Sequence, residues 1–105
     1  MWTVVFSEAA EDDLNAIYDY IAERAGADIA LRFVGRIEEY CRGFATVPKR
    51  GTRRDDLRPG LRTVGFRRRA TILIELDEGA RRVIIHGIYY AGRSLSDEAT
   101  DDAEG

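Results

Sequence analysis

The side chains of this sequence that are best suited to chemistry are basic, and they are concentrated in one segment. Residues 49–69 carry nine basic side chains against two acidic ones, which gives the segment a charge of +7. The basic side chains are Lys49, Arg50, Arg53, Arg54, Arg58, Arg62, Arg67, Arg68 and Arg69. Guanidinium groups make bidentate contacts to carboxylate or phosphate without needing a shifted pKa. The segment therefore predicts a site for a polyanion or an acidic protein partner. The alternative is a solvated basic face that only aids solubility.

The rest of the chain is acidic, so the net charge of −3 conceals an asymmetry. Residues 1–48 carry nine acidic and four basic side chains, and residues 94–105 carry five acidic side chains and no basic one. Residues 70–93 are balanced at three of each. The basic segment thus lies between acidic ends, and the average pI says little about the surface that a partner would meet.

His86 is the natural candidate for a general acid or base, because histidine ordinarily titrates near neutral pH. The alternative, which we favour, is a strand histidine that hydrogen-bonds to a neighbour. The surrounding residues alternate as a strand does, which predicts Val83, Ile85 and Gly87 on one face and Ile84, His86 and Ile88 on the other. Tyr89 and Tyr90 follow. We expect one of them in the core, while the other could stack on a base or donate a proton.

The sequence gives little indication of a metal site, a reactive thiol or a nucleotide-binding loop. The chain has one cysteine, Cys41, on an apolar helical stripe, and one histidine, so a His/Cys metal site is not expected. It contains neither a glycine-rich phosphate loop nor a nucleophile elbow. Lys49 is the only lysine, so amine bases are scarce. We predict that the protein uses no metal and no cofactor.

The first half of the chain predicts a strand followed by two helices. Residues 1–6 alternate in the manner of a short strand. Ser7 is a favourable helix N-cap, and the acidic residues after it lie where the helix dipole favours anions. Apolar spacing predicts one helix that ends before Gly26 and a second that ends by Val47, since Pro48 disfavours helix at the preceding residue. Because few residues join them, the two helices should form an antiparallel hairpin.

The second half of the chain predicts three strands. A polar connection over residues 48–60 leads to strands at 61–66, 70–76 and 82–89, with a hairpin turn at 77–80. The order β-α-α-β-β-β indicates an α+β fold in which two helices pack on one sheet.

The length of 105 residues corresponds to one domain. We place the domain at residues 1–93 and predict that residues 94–105 form an acidic, disordered tail. The apolar runs are about four residues long, whereas a membrane span needs about 20. The acidic N-terminal region does not resemble a signal peptide. These features predict a cytoplasmic protein with no membrane partner.

Five segments of the chain also share an order and register with a known superfamily. They are SEAAEDDL at residues 7–14, IYDYIA at 17–22, the segment 30–37, LRPGLR at 57–62 and VIIHGIYYAGR at 83–93. Together they resemble the RelE/ParE superfamily of toxins from bacterial type II toxin–antitoxin systems, in particular its ParE-like branch of plasmid stabilisation proteins. The likeness covers residues 2–93. Ser94, the arginine-rich turn at 67–69 and the acidic tail depart from the family pattern.

The resemblance implies two antiparallel helices packed on a curved, mainly antiparallel sheet. It also implies a growth-inhibiting toxin that is neutralised by a co-expressed, ParD-like antitoxin. Two cellular targets remain open, because ParE-like members poison DNA gyrase and RelE-like members cut mRNA on the ribosome. The surface that would bind the target or the antitoxin is expected at Arg58, Arg62, Arg67, Arg68, Arg69, Tyr90 and Arg93.

RNA cleavage through the 2′-hydroxyl would require a proton acceptor in addition to cations and an acid. The candidate catalytic residues in that case are Arg62, Arg67, Arg69, Arg82, His86 and Tyr90. Arginine stays protonated and Lys49 stands alone, so the base is missing. We therefore rank gyrase poisoning without covalent chemistry first and an mRNA endoribonuclease second. A basic binding module without toxicity is the third option.

Overall fold

The computed structural model describes residues 1–90. The elements in chain order are β1 (Thr3–Phe6), α1 (Glu8–Ala25), α2 (Ala27–Arg42), a 3₁₀ turn (Gly43–Ala45), β2 (Thr52–Arg53), β3 (Leu61–Phe66), β4 (Ala70–Asp77) and β5 (Arg82–Tyr90). The predicted order is confirmed with one correction. The polar connection contains the short strand β2, whose two residues are too few to leave a periodic pattern. The tail at 94–105, predicted to be disordered, and the domain end at residue 93 lie outside the described residues.

The five strands form one mixed sheet in the order β1-β5-β4-β3-β2. Strands β2 to β5 pair antiparallel with their neighbours, and β1 pairs parallel with β5 from Thr3↔Arg82 to Phe6↔Ile85. The first and last strands of the described fold therefore lie side by side, and the helical hairpin connects β1 to the opposite edge of the sheet.

The helical hairpin begins and turns where the sequence indicates. The Ser7 hydroxyl accepts a hydrogen bond of 3.1 Å from the backbone N–H of Ala10, which caps α1. Gly26 ends α1 and precedes α2 with a φ of 100°, a value that glycine adopts without a Cβ penalty. Neither helix within residues 1–90 is long and apolar enough to cross a membrane.

The core lies between the two helices and one face of the sheet. Its members are mainly aliphatic: Ala10, Leu14, Ile17 and Ile21 from α1, Ala30, Ile37 and Cys41 from α2, Phe44, and Val64, Phe66, Ala70, Ile72, Ile74, Val83, Ile85, Ile88 and Tyr90 from the strands and turns. We call the opposite face of the sheet, on which Val5 and Tyr89 are exposed, the outer face. Burial of Cys41 confirms its predicted core position, and of the two tyrosines, one of which was expected in the core, Tyr90 is buried and Tyr89 is exposed.

A β-bulge in β5 changes which residues reach the core. Leu73 pairs with Gly87 and Ile74 pairs with Ile85, so His86 is an extra residue on β5. The extra residue shifts the alternation, and Ile88 joins Val83 and Ile85 on the core face at 3% exposure. The prediction that Ile88 shares a face with Ile84 and His86 was therefore wrong, because a bulge leaves no signature in the alternation itself.

The start of α1 covers the part of β5 that extends beyond β1. The backbone N–H of Ser7 donates to the carbonyl of Ile85 at 3.0 Å, and the Ser7 hydroxyl donates to the carbonyl of His86 at 3.3 Å. An Asp13 carboxylate oxygen accepts from the backbone N–H of Ile88 at 2.9 Å. Side chains of the helix thus satisfy backbone groups that a neighbouring strand would otherwise pair.

Candidate functional site

An open cleft of about 690 Å³ lies between two parts of the fold: the end of the helical hairpin where α1 meets α2, and the turn that joins β3 to β4. We call it the arginine cleft. Its walls combine aromatic, aliphatic and cationic side chains from both helices, the turn and β5. They are Tyr20, Ile21, Arg24, Ala25, Ile29, Phe33, Arg67, Arg69 and Tyr90.

The arginines of the β3–β4 turn are held in an unusual backbone conformation. Arg67 and Arg68 both have left-handed φ angles, of 54° and 58°, and the backbone N–H of Arg69 donates to the carbonyl of Phe66 at 3.0 Å. Positive φ at both central residues is typical of tight hairpin turns, where Asn and Gly are the usual choices because bulkier residues are disfavoured there. Such strain is concentrated at functional sites in proteins.

Aromatic rings support the cations of the cleft. Tyr90, at 6% exposure, packs edge-on against Tyr20 and Phe33, with ring centroids 5.8 and 5.5 Å apart. The Tyr90 hydroxyl accepts a hydrogen bond of 3.3 Å from Arg69 Nη1. The Arg24 guanidinium lies 3.9 Å from the centroid of the Tyr20 ring. These contacts orient Arg24 and Arg69 without neutralising them, since neither an aromatic ring nor a phenol hydroxyl carries a negative charge.

The basic residues differ in whether their charge is already paired. Within residues 1–90, the turn arginines Arg67, Arg68 and Arg69 form no salt bridge, although all three are exposed. Several of the remaining ones are neutralised locally, in the pairs Arg53–Asp55, Arg54–Asp56, Arg58–Glu75 and Arg82–Asp77. Within the basic segment of residues 49–69, the exposed arginines that lack a carboxylate partner among residues 1–90 are therefore those of the turn.

A second polar group, the outer-face cluster, consists of Arg58, Glu75 and His86. His86 Nε2 lies 2.7 Å from Glu75 Oε1, and Arg58 Nη2 donates to the same oxygen at 2.8 Å. Hydrogen bonds from His86 and Arg58 lower the pKa of Glu75, which makes the carboxylate a weaker base. His86 thus pairs with a neighbour, as the favoured interpretation predicted.

The residues considered for an RNA-cleaving site do not converge. Tyr90 faces the helices, whereas His86 bonds to Glu75 on the outer face. Arg62 Nη1 donates to the carbonyl of Arg50, and Arg82 pairs with Asp77. General acid and base must both lie within hydrogen-bond reach of the same reacting group. The structure instead distributes the candidates over both faces of the sheet and the turn.

The arginine cleft unites some predicted residues with others that the sequence analysis missed. Arg67, Arg69 and Tyr90 line the same cleft, and Arg68 is exposed in the same turn. Arg93 lies outside the described residues. The aromatic and charged members of the two groups that were not predicted are Tyr20, Arg24, Phe33 and Glu75, and the cleft adds the aliphatic Ile21, Ala25 and Ile29. The i, i+4 spacing of Tyr20 and Arg24 on one helix was an available signal, whereas Glu75 had none because its role depends on strand register.

Residues 1–90 contain neither a grouped set of metal ligands nor an activated thiol. No three His, Cys, Asp or Glu side chains in that range are grouped to hold a metal ion. Burial raises the pKa of the Cys41 thiol to about 12, so the reactive thiolate is disfavoured.

The two-helix hairpin on a mixed five-stranded sheet is the fold of the RelE/ParE toxins. The isolated Escherichia coli RelE toxin superposes with a TM-score of 0.56 at 13% identity, over 97% of this chain and 98% of that one. A chain of the RelBE toxin–antitoxin complex from Mycobacterium tuberculosis gives a TM-score of 0.63 at 20% identity, over 88% and 93%. At these identities the likeness establishes the fold alone.

The chain belongs to the ParE toxin family of type II toxin–antitoxin systems, since the family's sequence model, described as the ParE toxin of parDE, matches residues 4–93. A chain of the chromosomal ParDE system from Pseudomonas aeruginosa superposes with a TM-score of 0.73 at 26% identity, over 86% of this chain and 96% of that one. Toxin ParE3 of Caulobacter vibrioides is 33% identical over 63 residues. That match spans 60% of this chain and 63% of the relative's length.

Proposed function

We propose that this protein inhibits growth by binding and poisoning DNA gyrase, and that a ParD-like antitoxin neutralises it. The observation that carries the proposal is the position of Arg67 and Arg69, which form no salt bridge within residues 1–90, on the aromatic wall of the arginine cleft. Poisoning by binding requires a complementary surface and no proton transfer. Family membership supports the same role.

The chemistry of the cleft favours an anionic protein surface as its partner. Arg67 and Arg69 are exposed and have no carboxylate partner within residues 1–90, so they can pair with acidic side chains of a target. Ile29, at 48% exposure, supplies an apolar anchor at the same cleft. Apolar anchors supply most of the affinity in such interfaces, while charge sets register and association rate.

The antitoxin is expected to be an acidic chain that orders on the toxin as it binds. Its acidic residues would contact the arginines, and its apolar residues would cover exposed side chains such as Val5 and Tyr89 on the outer face. The similar structures from Pseudomonas aeruginosa and Mycobacterium tuberculosis are named as toxin–antitoxin systems, which supports a partner of this kind.

We expect the purified protein to inhibit gyrase supercoiling and to trap cleaved DNA on the enzyme, with bulk translation persisting at first in cells. His86→Gln should keep most of this activity, to within about threefold, because an imidazole bound to Glu75 has no proton-transfer role in binding. Full catalytic involvement would instead cost about 100- to 10,000-fold. The measurements are a supercoiling assay and viable counts after induction without antitoxin.

An mRNA endoribonuclease remains the second candidate, and one observation favours it. The His86–Glu75 pair, with Arg58 beside it, is partly exposed on the outer face and resembles an oriented imidazole base. Ribosomal toeprinting separates the two functions. Cleavage in the A site that His86→Gln or Tyr90→Phe abolishes, together with intact gyrase activity in the presence of the protein, would place the endoribonuclease first.

Replacing the three turn arginines by glutamine should reduce toxicity about tenfold while antitoxin binding partly survives. The reason is that three exposed ion pairs at a few tenths to 1 kcal/mol each sum to roughly the 1.4 kcal/mol that makes one decade. Arg32→Gln with Arg42→Gln, two exposed arginines of α2 that do not line the cleft, is the matched control. Equal toxicity of the two variants, at equal melting temperature, would show that the turn only aids solubility.

A further inference from the structure

The arginine cleft presents cations that are oriented but not neutralised. Arg67 and Arg69 form no salt bridge within residues 1–90, and Arg24 has only the exposed Glu23, 3.8 Å away. Arg24 rests on the Tyr20 ring, and Arg69 on the Tyr90 hydroxyl. Side chains held in this way lose little conformational entropy when they bind carboxylates, so the cleft is organised for an acidic ligand.

The chain itself carries an acidic segment that follows the cleft residue Tyr90 within a few positions in the sequence. Tyr90, the last described residue, lines the cleft. Residues 94–105 contain Asp97, Glu98, Asp101, Asp102 and Glu104 and no basic residue. An extended chain advances about 3.3 Å per residue, so the seven residues from Tyr90 to Asp97 can reach about 23 Å. The acidic side chains are therefore within reach of all three arginines.

We propose that residues 94–105 bind the arginine cleft of the same chain and compete there with anionic partners. Tethering supplies an effective concentration on the order of millimolar, which is enough for contacts that are individually weak. The same weakness lets a tighter-binding partner displace the segment. Residues 94–105 then act as an internal competitor whose binding weakens with salt. This proposal holds whichever cellular target the toxin inhibits.

The test measures binding of a fluorescein-labelled hexaglutamate peptide to the full chain by fluorescence anisotropy at low salt. The tail-neutralised variant carries Asp97→Asn, Glu98→Gln, Asp101→Asn, Asp102→Asn and Glu104→Gln. If the segment competes for the cleft, this variant should bind the probe about fivefold more tightly, the effect expected of a few exposed ion pairs. The difference should vanish near 1 M salt, where the screening length falls to about 3 Å.

Removal of five negative charges also strengthens anion binding in general, so a further control must show that the gain in probe affinity arises at the arginine cleft. It should disappear when Arg67→Gln and Arg69→Gln are added, and persist when Arg32→Gln and Arg42→Gln are added instead. Backbone amide NMR signals of residues 66–70 should shift between the native and neutralised chains. Equal probe affinity of the two chains, a gain that survives loss of Arg67 and Arg69, or unshifted turn amides would each overturn the proposal.

Discussion

Phe44→Ala is expected to lower the free energy of unfolding by about 3–5 kcal/mol, the range typical of large-to-small substitutions of buried aromatics. Phe44 has no exposed surface and packs in the 3₁₀ turn after α2, with its ring centroid 5.6 Å from that of Tyr40. The neighbouring Ala45 carbonyl accepts from the backbone N–H of Trp2 at 2.9 Å, which ties this turn to the start of β1. A cavity here therefore weakens the contact between the helices and one edge of the sheet.

The measurement for Phe44 is equilibrium unfolding in urea, with Phe44→Leu as the control. Leucine keeps most of the apolar volume and should cost about 1.5 kcal/mol or less. A loss below about 1.5 kcal/mol for Phe44→Ala would mean that the site collapses and is not rigidly packed. A domain of this size has roughly 5–15 kcal/mol of stability in total, so such a loss leaves less folded protein. A screen for loss of toxicity would therefore recover Phe44 variants, although Phe44 lies outside the candidate site.

Gly51→Ala should destabilise the protein by about 2–3 kcal/mol, because two separate penalties coincide. Gly51 has a φ of 76°, in the region that disfavours side chains, and an added Cβ would overlap the carbonyl oxygen of Thr63. Relief requires β2 to move away from β3, with loss of the Thr52↔Thr63 and Arg53↔Arg62 pairing. The hydrogen bond from Arg62 to the carbonyl of Arg50 would be strained as well.

A glycine-to-alanine substitution in α2 supplies a control, because it should change the free energy of unfolding in the opposite direction. Gly35 lies on the exposed side of α2, and an added Cβ there meets nothing within 4 Å. Gly35→Ala should therefore raise the free energy of unfolding by up to about 1 kcal/mol, since alanine is the better helix former. Thermal and urea unfolding of both variants test the pair. Similar effects at the two positions would contradict the backbone argument for Gly51.

Most of the fold could be predicted because its elements are encoded over short distances in the chain. Ser7 as a cap, Gly26 between the helices and the alternation of β3 and β4 each depend on a few adjacent residues. The strand β2 and the bulge at His86 could not be predicted. Both depend on hydrogen bonds to a partner strand, and the number of residues that oppose each other across a ladder is not a local property.

The candidate site could be predicted in part. The sequence indicated the concentration of arginine, the protein family and a histidine bonded to a neighbour. It did not indicate which residues contact His86 and Tyr90. Glu75 meets His86 only through the register of β4 and β5, and Tyr20 and Phe33 meet Tyr90 only because both helices cross the same end of β5.

Local patterns in the chain were enough to predict both helices, four of the five strands, the basic segment and the superfamily, because cap residues, periodicity and composition act within a few residues of one another. The tertiary fold was needed to pair Arg58 with Glu75 of β4. It was also needed to bring Arg67 and Arg69, which form no salt bridge within residues 1–90, together with Arg24 of α1 in one cleft. The pairs of Arg53, Arg54 and Arg82 with nearby aspartates are local by comparison. The tertiary fold also turned Tyr90 and His86 to different faces through one extra residue in β5. The Arg58–Glu75 pair, the grouping of the cleft residues and the orientation of side chains around the bulge are long-range properties, because they arise only when distant segments pack together.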